Sequence, residues 1–179
     1  MPRSSTTGRH ESGQNFLVDA SVIRSIVDLV DATSGPILEI GPGDGALTRP
    51  LARLGRPLTA IELDARRAER LDRATPRHVA VRHDDVLRAR MPPHPHVVVG
   101  NLPFHLTTAI LRRLLADPAW TDAVLLVQWE VARRRAGVGG ATLLTAQSWP
   151  WFDYALHGRV PARAFRPTPG VDGGVLRVT

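Results

Sequence analysis

Four residues, Asn101 to Phe104, follow the apolar segment HVVVG and carry groups suited to holding an amino group. The Asn101 Oδ1 atom and the Leu102 carbonyl are acceptors that can hold both hydrogens of an aromatic amino group. Such a group is a poor nucleophile because its lone pair is delocalised into the ring. Holding its hydrogens favours the pyramidal geometry in which the nitrogen attacks a carbon. The tetrad therefore suits group transfer to a planar nitrogen, and the rest of the chain has to decide whether it serves that chemistry.

The other two residues of the tetrad fit the same chemistry. Pro103 fixes the backbone so that the Leu102 carbonyl points inward, and Phe104 can stack on a flipped base. Asn101 is no strong base, so the proton leaves after the transfer, and positioning and electrostatics supply most of the rate. A plain strand-to-helix turn with Phe104 in the core is the alternative.

A glycine-rich turn lies upstream, in the segment LEIGPGDGALT, with glycines at positions 41, 43 and 45. Glycine lets the backbone turn sharply and lets a ligand approach where a Cβ would stand. The dinucleotide fingerprint G-x-G-x-x-G needs a third glycine where this chain has Ala46. Asp44 inside the turn would repel a pyrophosphate. The turn therefore predicts a cofactor without a diphosphate.

S-adenosylmethionine is such a cofactor, because its ammonium and sulfonium groups are cationic and its ribose offers two hydroxyls. Glu62 closes the second predicted strand, where a carboxylate can accept from both hydroxyls. Asp85 follows the third strand and can accept from the adenine amino group of the cofactor. The alternatives are a solvated strand-end charge for Glu62 and a loop cap for Asp85. Three successive strand ends that carry a glycine turn, an acid and an acid favour the cofactor site.

These strand ends must be positioned by a sheet, and seven segments are predicted as its strands. Most alternate with helical segments, which predicts an α/β fold with a mostly parallel sheet and helices on both faces. Ligands of such sheets bind at the carboxyl ends of the strands. The predicted strands are 36–40, 57–63, 78–83, 96–100, 122–128, 154–160 and 173–179.

Helical spacing and capping residues predict the helices between these strands. Asp19 and Asp64 are expected to cap the helices that follow them. Apolar residues recur at helical spacing in the other predicted helices. Those helices start near Leu47, near Leu106 and in ATLLTAQSW, residues 141–149.

The domain organisation is expected to be simple. Residues 1–13 are polar and expected to be disordered, and residues 14–179 are expected to form a single catalytic domain. No secretion signal or membrane-length apolar run is visible, which makes the cytoplasm the default. The chain has no cysteine, which excludes disulfides and thiolate metal sites, and no metal is expected.

The charge of the chain indicates a polyanionic partner. The formal net charge is +6, and every strongly basic side chain is an arginine, which suits phosphates and bases. Biased codon composition would explain arginine in place of lysine, but not its clustering. A solvated helix face is the alternative for the cluster at 133–135. The candidate phosphate contacts are Arg133, Arg134, Arg135, Arg163 and Arg166.

Several motifs together resemble one known family, the Erm-type 23S rRNA adenine methyltransferases. They are GQNFLVD, EIGPGDGALT, NLPF, LLVQWEVARRRAG and GRVPARAFRPTPGVDGGVLRV, which run in the family's order from Gly13 to the C-terminus. The related small-subunit rRNA adenine dimethyltransferases share QNFL, EIGPG and NLP. The segments RRRAG and WPWF…GRVPARAFRPTP are more similar to the Erm type.

The resemblance implies a fold, an activity and a set of site residues. The fold is a Rossmann-like class I S-adenosylmethionine-dependent methyltransferase with a seven-stranded sheet. The activity is methylation of an adenine amino group in 23S rRNA, naked or partly assembled, which confers macrolide, lincosamide and streptogramin B resistance. A monomer is expected. The implied cofactor contacts are Asn15, Leu17, Gly41, Gly43, Glu62, Asp85 and Asn101.

The resemblance also implies that Phe165 encloses the target adenine opposite Phe104. Because Arg163 and Arg166 flank it, a surface loop is expected there, and a core aromatic is the alternative. This sequence departs from the family at two places. The usual tetrad ends in tyrosine where this chain has Phe104, although stacking needs only the ring. The usual C-terminal helical domain has no counterpart before Thr179, so a short form is expected.

Three other functions remain open from the sequence. One is methylation of a planar side-chain nitrogen, of arginine or glutamine, on a protein. Another is small-subunit rRNA adenine dimethylation. The third is a non-catalytic RNA-binding module, against which the intact tetrad argues.

Overall fold

Seven strands form one sheet in the computed structural model, which describes residues 15–117 and 119–179. All seven correspond to predicted strands, with ends that differ by up to two residues. The expected disorder of residues 1–13 lies outside the described residues. The strands of this sheet are β2 (Ile37–Ile40), β3 (Leu58–Glu62), β4 (Val79–His83), β5 (His96–Asn101), β6 (Trp120–Gln128), β7 (Tyr154–Val160) and β9 (Gly173–Val178).

The strand order is β4-β3-β2-β5-β6-β9-β7. Strand β9 runs antiparallel to both of its neighbours, and the other pairings are parallel, as predicted. The chain proceeds from β2 outward through β3 to β4, and then crosses to β5 on the other side of β2. The switch point therefore lies between the carboxyl ends of β2 and β5, where open α/β sheets form their ligand crevice.

Two further strands form a small antiparallel sheet that the sequence analysis does not predict. They are β1 (Phe16–Leu17) and β8 (Phe165–Arg166), paired Phe16 to Arg166 and Leu17 to Phe165. Strands of two residues are too short to show a periodicity of two. This pairing brings the start of the described chain against the segment before β9.

Six α-helices occur in the described residues, and both predicted aspartate caps are confirmed. The Asp19 carboxylate accepts from the backbone N–H groups of Ser21 and Val22, and Asp64 accepts from those of Arg66 and Arg67. The helices are α1 (Ala20–Asp31), α2 (Thr48–Ala52), α3 (Ala65–Arg73), α4 (Thr107–Leu115), α5 (Trp129–Arg135) and α6 (Leu143–Ser148).

The core lies on both faces of the sheet. In β5, Val97 and Val99 pack with Ile26 of α1 and Leu51 of α2, whereas Val98 faces the opposite layer. Successive strand residues point to opposite faces, so an apolar run such as HVVV needs a cover on each side. The opposite layer contains Ile110, Leu111 and Leu114 of α4. The expectation of helices on both faces is confirmed.

The described residues contain no helix long and apolar enough to cross a membrane. Within the same residues, no group of three or more histidine, aspartate or glutamate side chains is placed to hold a metal ion.

Candidate active site

The glycine turn after β2 brings bare backbone to the switch point. Gly41 and Gly43 have φ values of 66° and 55°, in the left-handed region that favours glycine. A Cβ on Gly43 would stand 3.0 Å from the Phe16 ring, so the turn also leaves room for that ring. The guanidinium of Arg67 lies over the Phe16 ring, 4.7 Å from its centroid.

Glu62 joins the end of β3 to this turn. Its carboxylate is 1% exposed, and its two oxygens accept from the N–H of Gly43 at 3.0 Å and from the N–H of Asp64 at 2.9 Å. The alternative of a solvated strand-end charge is therefore wrong. The backbone holds a buried carboxylate that keeps lone pairs for a further donor.

Asn101 ends β5 on the other side of the switch point. Its Nδ2 donates to the Asn15 carbonyl at 2.8 Å. Since a carbonyl can only accept, the amide nitrogen must face Asn15, and Oδ1 occupies the other edge of the amide. This contact therefore orients Oδ1, the atom that is predicted to accept from the amino group of the substrate.

The rest of the tetrad forms the turn into α4. The Leu102 side chain is buried, and its N–H donates to the Leu126 carbonyl at 3.0 Å. The Pro103 carbonyl accepts from the N–H of Leu106 and from the Thr107 hydroxyl. The backbone of the tetrad is thus held on both sides of the Leu102 carbonyl.

Two adjoining cavities lie where these residues meet. The first has a volume of about 30 Å³, and the second, of about 230 Å³, shares Phe16, Gly41, Gly43 and Asn101 with it. Leu17 lines the second cavity. The structure therefore brings together most of the predicted cofactor and tetrad residues. The first cavity is lined by Asn15, Phe16, Gly41, Gly43, Glu62, Asn101, Leu102, Pro103 and Phe104.

Asp85 stands apart from this group and lines neither cavity. Its Oδ1 accepts from the N–H of Leu87 at 2.9 Å, and its Oδ2 lies 3.9 Å from Arg88 Nε. It therefore caps the loop after β4, which is the alternative weighed for it. A contact between Asp85 and the cofactor adenine stays a prediction.

Phe165 is in the core, and the expected surface loop is wrong at this residue. Its side chain is completely buried, because β8 pairs it with Leu17 and its ring packs against Gly173. The ring meets Phe104 edge to face, with centroids 6.2 Å apart. Phe104 is half-buried and lines the first cavity, and the Phe165 ring packs against it. Enclosure of an adenine by Phe165 stays a prediction.

Arg135 is not a surface phosphate contact, which corrects the expectation for the cluster at 133–135. Its guanidinium is buried and donates to the hydroxyls of Thr142 and Thr145, so it ties α5 to α6. Burial lowers the pKa of Arg135. The sequence shows three adjacent arginines, but on a helix neighbouring residues point in different directions.

The other candidate arginines reach the surface to different degrees. Arg134 is largely exposed, Arg133 is about one third exposed, and both lie within 3.7 Å of Glu130. Arg163 and Arg166, on either side of Phe165, are exposed. These four remain available as predicted phosphate contacts.

Glu39 is a site residue that the sequence analysis misses. It lies in β2, is 1% exposed, lines the second cavity, and its Oε2 has no partner among the described residues. Burial raises the pKa of Glu39 to about 8; the Thr48 hydroxyl opposes the rise and the Glu62 carboxylate adds to it. An acid inside the apolar run PILEI is the signal that would have found it.

The donor set of the site fits S-adenosylmethionine. Glu62 and Asp44 are carboxylates beside the glycine turn, and Asp44 pairs with Arg70. Glu39 would ionise beside a cation, since an opposite charge favours the charged form. Backbone without Cβ atoms, a buried acceptor for ribose hydroxyls and acidic side chains suit a cationic cofactor and disfavour a diphosphate.

The sheet order and this crevice define the fold of the Rossmann-like S-adenosylmethionine-dependent methyltransferases. The comparisons with known proteins give the family. The family model described as ribosomal RNA adenine dimethylase matches residues 5–179, and the chain belongs to this family.

Three similar proteins place the chain within the family. An rRNA adenine N-6-methyltransferase of Corynebacterium diphtheriae is 64% identical over 94% of this chain and 67% of its own length. The mycinamicin-resistance protein MyrB of Micromonospora griseorubida is 55% identical over 94% of this chain and 55% of its length. The crystal structure of the 23S rRNA methyltransferase ErmE has a TM-score of 0.86 at 37% identity, covering 92% of this chain and 69% of ErmE. The chain thus spans from about half to two thirds of these relatives.

Proposed function

We propose that the chain transfers a methyl group from S-adenosylmethionine to the amino group of an adenine in 23S rRNA, and thereby confers macrolide, lincosamide and streptogramin B resistance. The observation that carries this proposal is the Asn101 amide, fixed by Asn15 beside the glycine turn. The names of the similar proteins, which include an rRNA adenine N-6-methyltransferase, a resistance protein and a 23S rRNA methyltransferase, support it.

The residues at the carboxyl edge of the sheet would hold the cofactor, which supplies an electrophilic methyl carbon when bound. Glu62 would accept from the ribose hydroxyls, since backbone N–H groups already orient its two oxygens. The turn at Gly41 and Gly43 would let the cofactor lie against the backbone. Asn15 and Leu17 would contact it from the opposite wall.

The tetrad would position the adenine. Asn101 Oδ1 and the Leu102 carbonyl would accept the two hydrogens of the amino group, so that its lone pair is freed from the ring and directed at the methyl carbon. The Phe104 ring, backed by Phe165, would stack on the base. Because no strong base is present in the tetrad, the proton leaves to water after transfer, and the rate comes from positioning and electrostatics.

The basic surface would hold the RNA. Arg134, Arg163 and Arg166 are exposed, and Arg163 and Arg166 flank Phe165, whose ring contacts Phe104. We expect a monomer that acts in the cytoplasm on naked or partly assembled RNA.

Transfer of labelled methyl groups tests the proposal. The purified chain is incubated with labelled S-adenosylmethionine and naked 23S rRNA, small-subunit rRNA or total cell protein. The proposal predicts label in an adenine of 23S rRNA and loss of that label in Asn101→Ala. Label in small-subunit rRNA or in protein would support one of the alternative substrates instead. A folded chain that binds the cofactor and labels none of them would refute catalysis.

A further inference from the structure

A second groove lies beside the active site and is not used by the proposed reaction. It has a volume of about 360 Å³ and opens at the carboxyl end of β6. Its walls come from the start of α5, from β7 and from the loop before β9. The lining residues are Gln128, Trp129, Glu130, Arg159, Gly170, Val171 and Asp172.

The groove is close to the tetrad because β5 and β6 are neighbours. Asn101, the last residue of β5, pairs with Leu126, and Gln128 lies two residues further along β6. Adjacent strands are about 4.8 Å apart and each strand residue rises about 3.3 Å. Gln128 therefore stands within about 10 Å of the Asn101 backbone, on the same edge of the sheet.

Trp129 and Arg159 form a fixed pair of planar groups in this groove. The Arg159 guanidinium lies 5.4 Å from the centroid of the Trp129 indole, and its Nε donates to Asp172 Oδ2 at 2.7 Å. Asp172 Oδ1 accepts from the N–H of Ala162, and the Asp172 carbonyl accepts from the N–H of Trp129. Asp172 thus holds the Arg159 guanidinium, the backbone of Trp129 and the segment that leads to Phe165.

Gly174 has no side chain and therefore leaves room for the Trp129 indole. A Cβ at this position would stand 3.1 Å from the Trp129 ring and 2.8 Å from Ala132. The indole edge at Cε3 therefore packs against the backbone of β9, and the side chain is half-buried rather than enclosed.

The chemistry of the groove suits a base and not a phosphate. Indole and guanidinium planes stack on nucleobases, and such stacking is sequence-tolerant. Arg159, the arginine of this lining, is paired with Asp172, and Glu130 adds a carboxylate, so the lining gives a phosphate no uncompensated positive charge. Arg163 and Arg166 are exposed and do not line the groove.

We propose that the Trp129 groove binds an unpaired nucleobase that neighbours the target adenine in the same RNA strand. The proposal rests on the proposed function and adds a second base-binding position to it. One nucleotide is held at the tetrad, and its neighbour stacks on Trp129. The groove thereby holds the strand so that the nucleotide beside the stacked base is placed at Asn101.

Abasic RNA tests the proposal. The substrate is a short 23S rRNA hairpin with the target adenine, and two further versions lack the base on its 5′ or 3′ side. In the wild-type chain one abasic version should lower kcat/KM for methyl transfer by about tenfold, in line with the value of one stacked base. Trp129→Ala should show this loss with the intact hairpin and no further loss with the abasic one. Trp129→Phe, which keeps a stacking ring, should recover most of the activity and of the abasic sensitivity.

A matched control and a binding readout separate this proposal from the proposed function. Trp151→Ala removes a far more exposed indole, which precedes the amino end of β7. This variant should change neither kcat/KM with the intact hairpin nor the loss caused by the abasic version. Because Trp129 packs on Gly174, each variant is checked by thermal unfolding, and Arg159→Gln serves as a second variant with the indole intact. Fluorescence of 2-aminopurine at the neighbouring position should be quenched on binding by the wild type and not by Trp129→Ala.

The outcomes are distinct. Methyl transfer with no abasic effect on either side, or full abasic sensitivity in Trp129→Ala, overturns the groove proposal and leaves the proposed function standing. Absence of methyl transfer from every wild-type reaction overturns the proposed function. The 2-aminopurine signal then decides the groove by itself, because unchanged quenching in Trp129→Ala excludes stacking on this indole.

Discussion

The Asn101 amide is hydrogen-bonded at 2.8 Å to the carbonyl of Asn15, a residue 86 positions earlier in the chain. This contact couples the end of β5 to the segment that enters the small β1–β8 sheet. The same segment lines the cavity at the glycine turn through Phe16. The acceptor of the tetrad is therefore oriented by residues far away in sequence, and its position depends on the N-terminal segment being docked.

Replacement of Asn101 by alanine should remove both this anchor and the Oδ1 acceptor. We expect methyl transfer to fall by about 10²- to 10³-fold, the loss typical of one preorganised group at a reacting centre. Initial rates with labelled S-adenosylmethionine measure it. Gln147→Ala removes an exposed amide from α6 and is the control. Equal rates in Asn101→Ala and the wild type would contradict the role given to Asn101.

Replacement of Glu62 by glutamine should weaken the cofactor site and the fold together. A glutamine side chain has one oxygen for two backbone donors, so the N–H of Gly43 or Asp64 is left facing an amide NH₂. An unsatisfied buried donor costs about 1–3 kcal/mol. We expect a free energy of unfolding lower by that amount and a Kd for S-adenosylmethionine at least about tenfold higher.

Urea unfolding and calorimetry measure the two effects of Glu62→Gln. Glu69→Gln is the matched control, because Glu69 is an exposed acid of α3 whose partner is Arg73. The control should leave both quantities within error. If Glu62→Gln bound the cofactor as tightly as Glu69→Gln, the ribose contact would be excluded.

The sheet and the caps could be predicted because their signals are local. Most strands are short apolar runs bounded by glycine, proline or charge, and Asp19 and Asp64 stand directly before their helices. The glycine turn, Glu62 and the tetrad all follow strand ends, so the parallel order alone brings them to one edge.

The remaining features depend on contacts between distant segments, which a local pattern does not show. Phe165 is flanked by exposed arginines, yet its pairing with Leu17 buries it. Arg135 follows two arginines that reach the surface, yet it is buried because α6 folds back to offer Thr142 and Thr145. In both cases the partner lies in another element, and only the tertiary fold decides the exposure.

The exposed arginines should determine the salt dependence of RNA binding. Removing two phosphate contacts in Arg134→Ala, Arg163→Ala should reduce the slope of log K against log[salt] by about 1.5. Arg135→Ala should leave the slope unchanged and lower the thermal stability, since its guanidinium is buried between two helices. Filter binding at several salt concentrations measures the slopes. An unchanged slope in the double variant would argue against these contacts.

Glu39 should make the stability of the chain fall as the pH rises. Burial raises the pKa of Glu39 from its ordinary value of 4.5 to about 8 in the folded chain. The folded state therefore binds its proton more tightly than the unfolded state, so the stabilisation is complete below about pH 4.5 and is lost between there and about pH 8.

The isosteric variant Glu39→Gln cannot ionise and should lack this loss. Its free energy of unfolding, relative to the wild type, should rise through that window by up to about 1.4 kcal/mol per pH unit. Urea unfolding at pH 5, 6.5 and 8 without cofactor measures the difference, and Glu69→Gln, with an exposed carboxylate, gives the flat reference. Parallel plots of the free energy of unfolding against pH for Glu39→Gln and the wild type would mean that the Glu39 carboxyl is already ionised at pH 5. A neutral Glu39 in the cofactor-free protein would then be excluded.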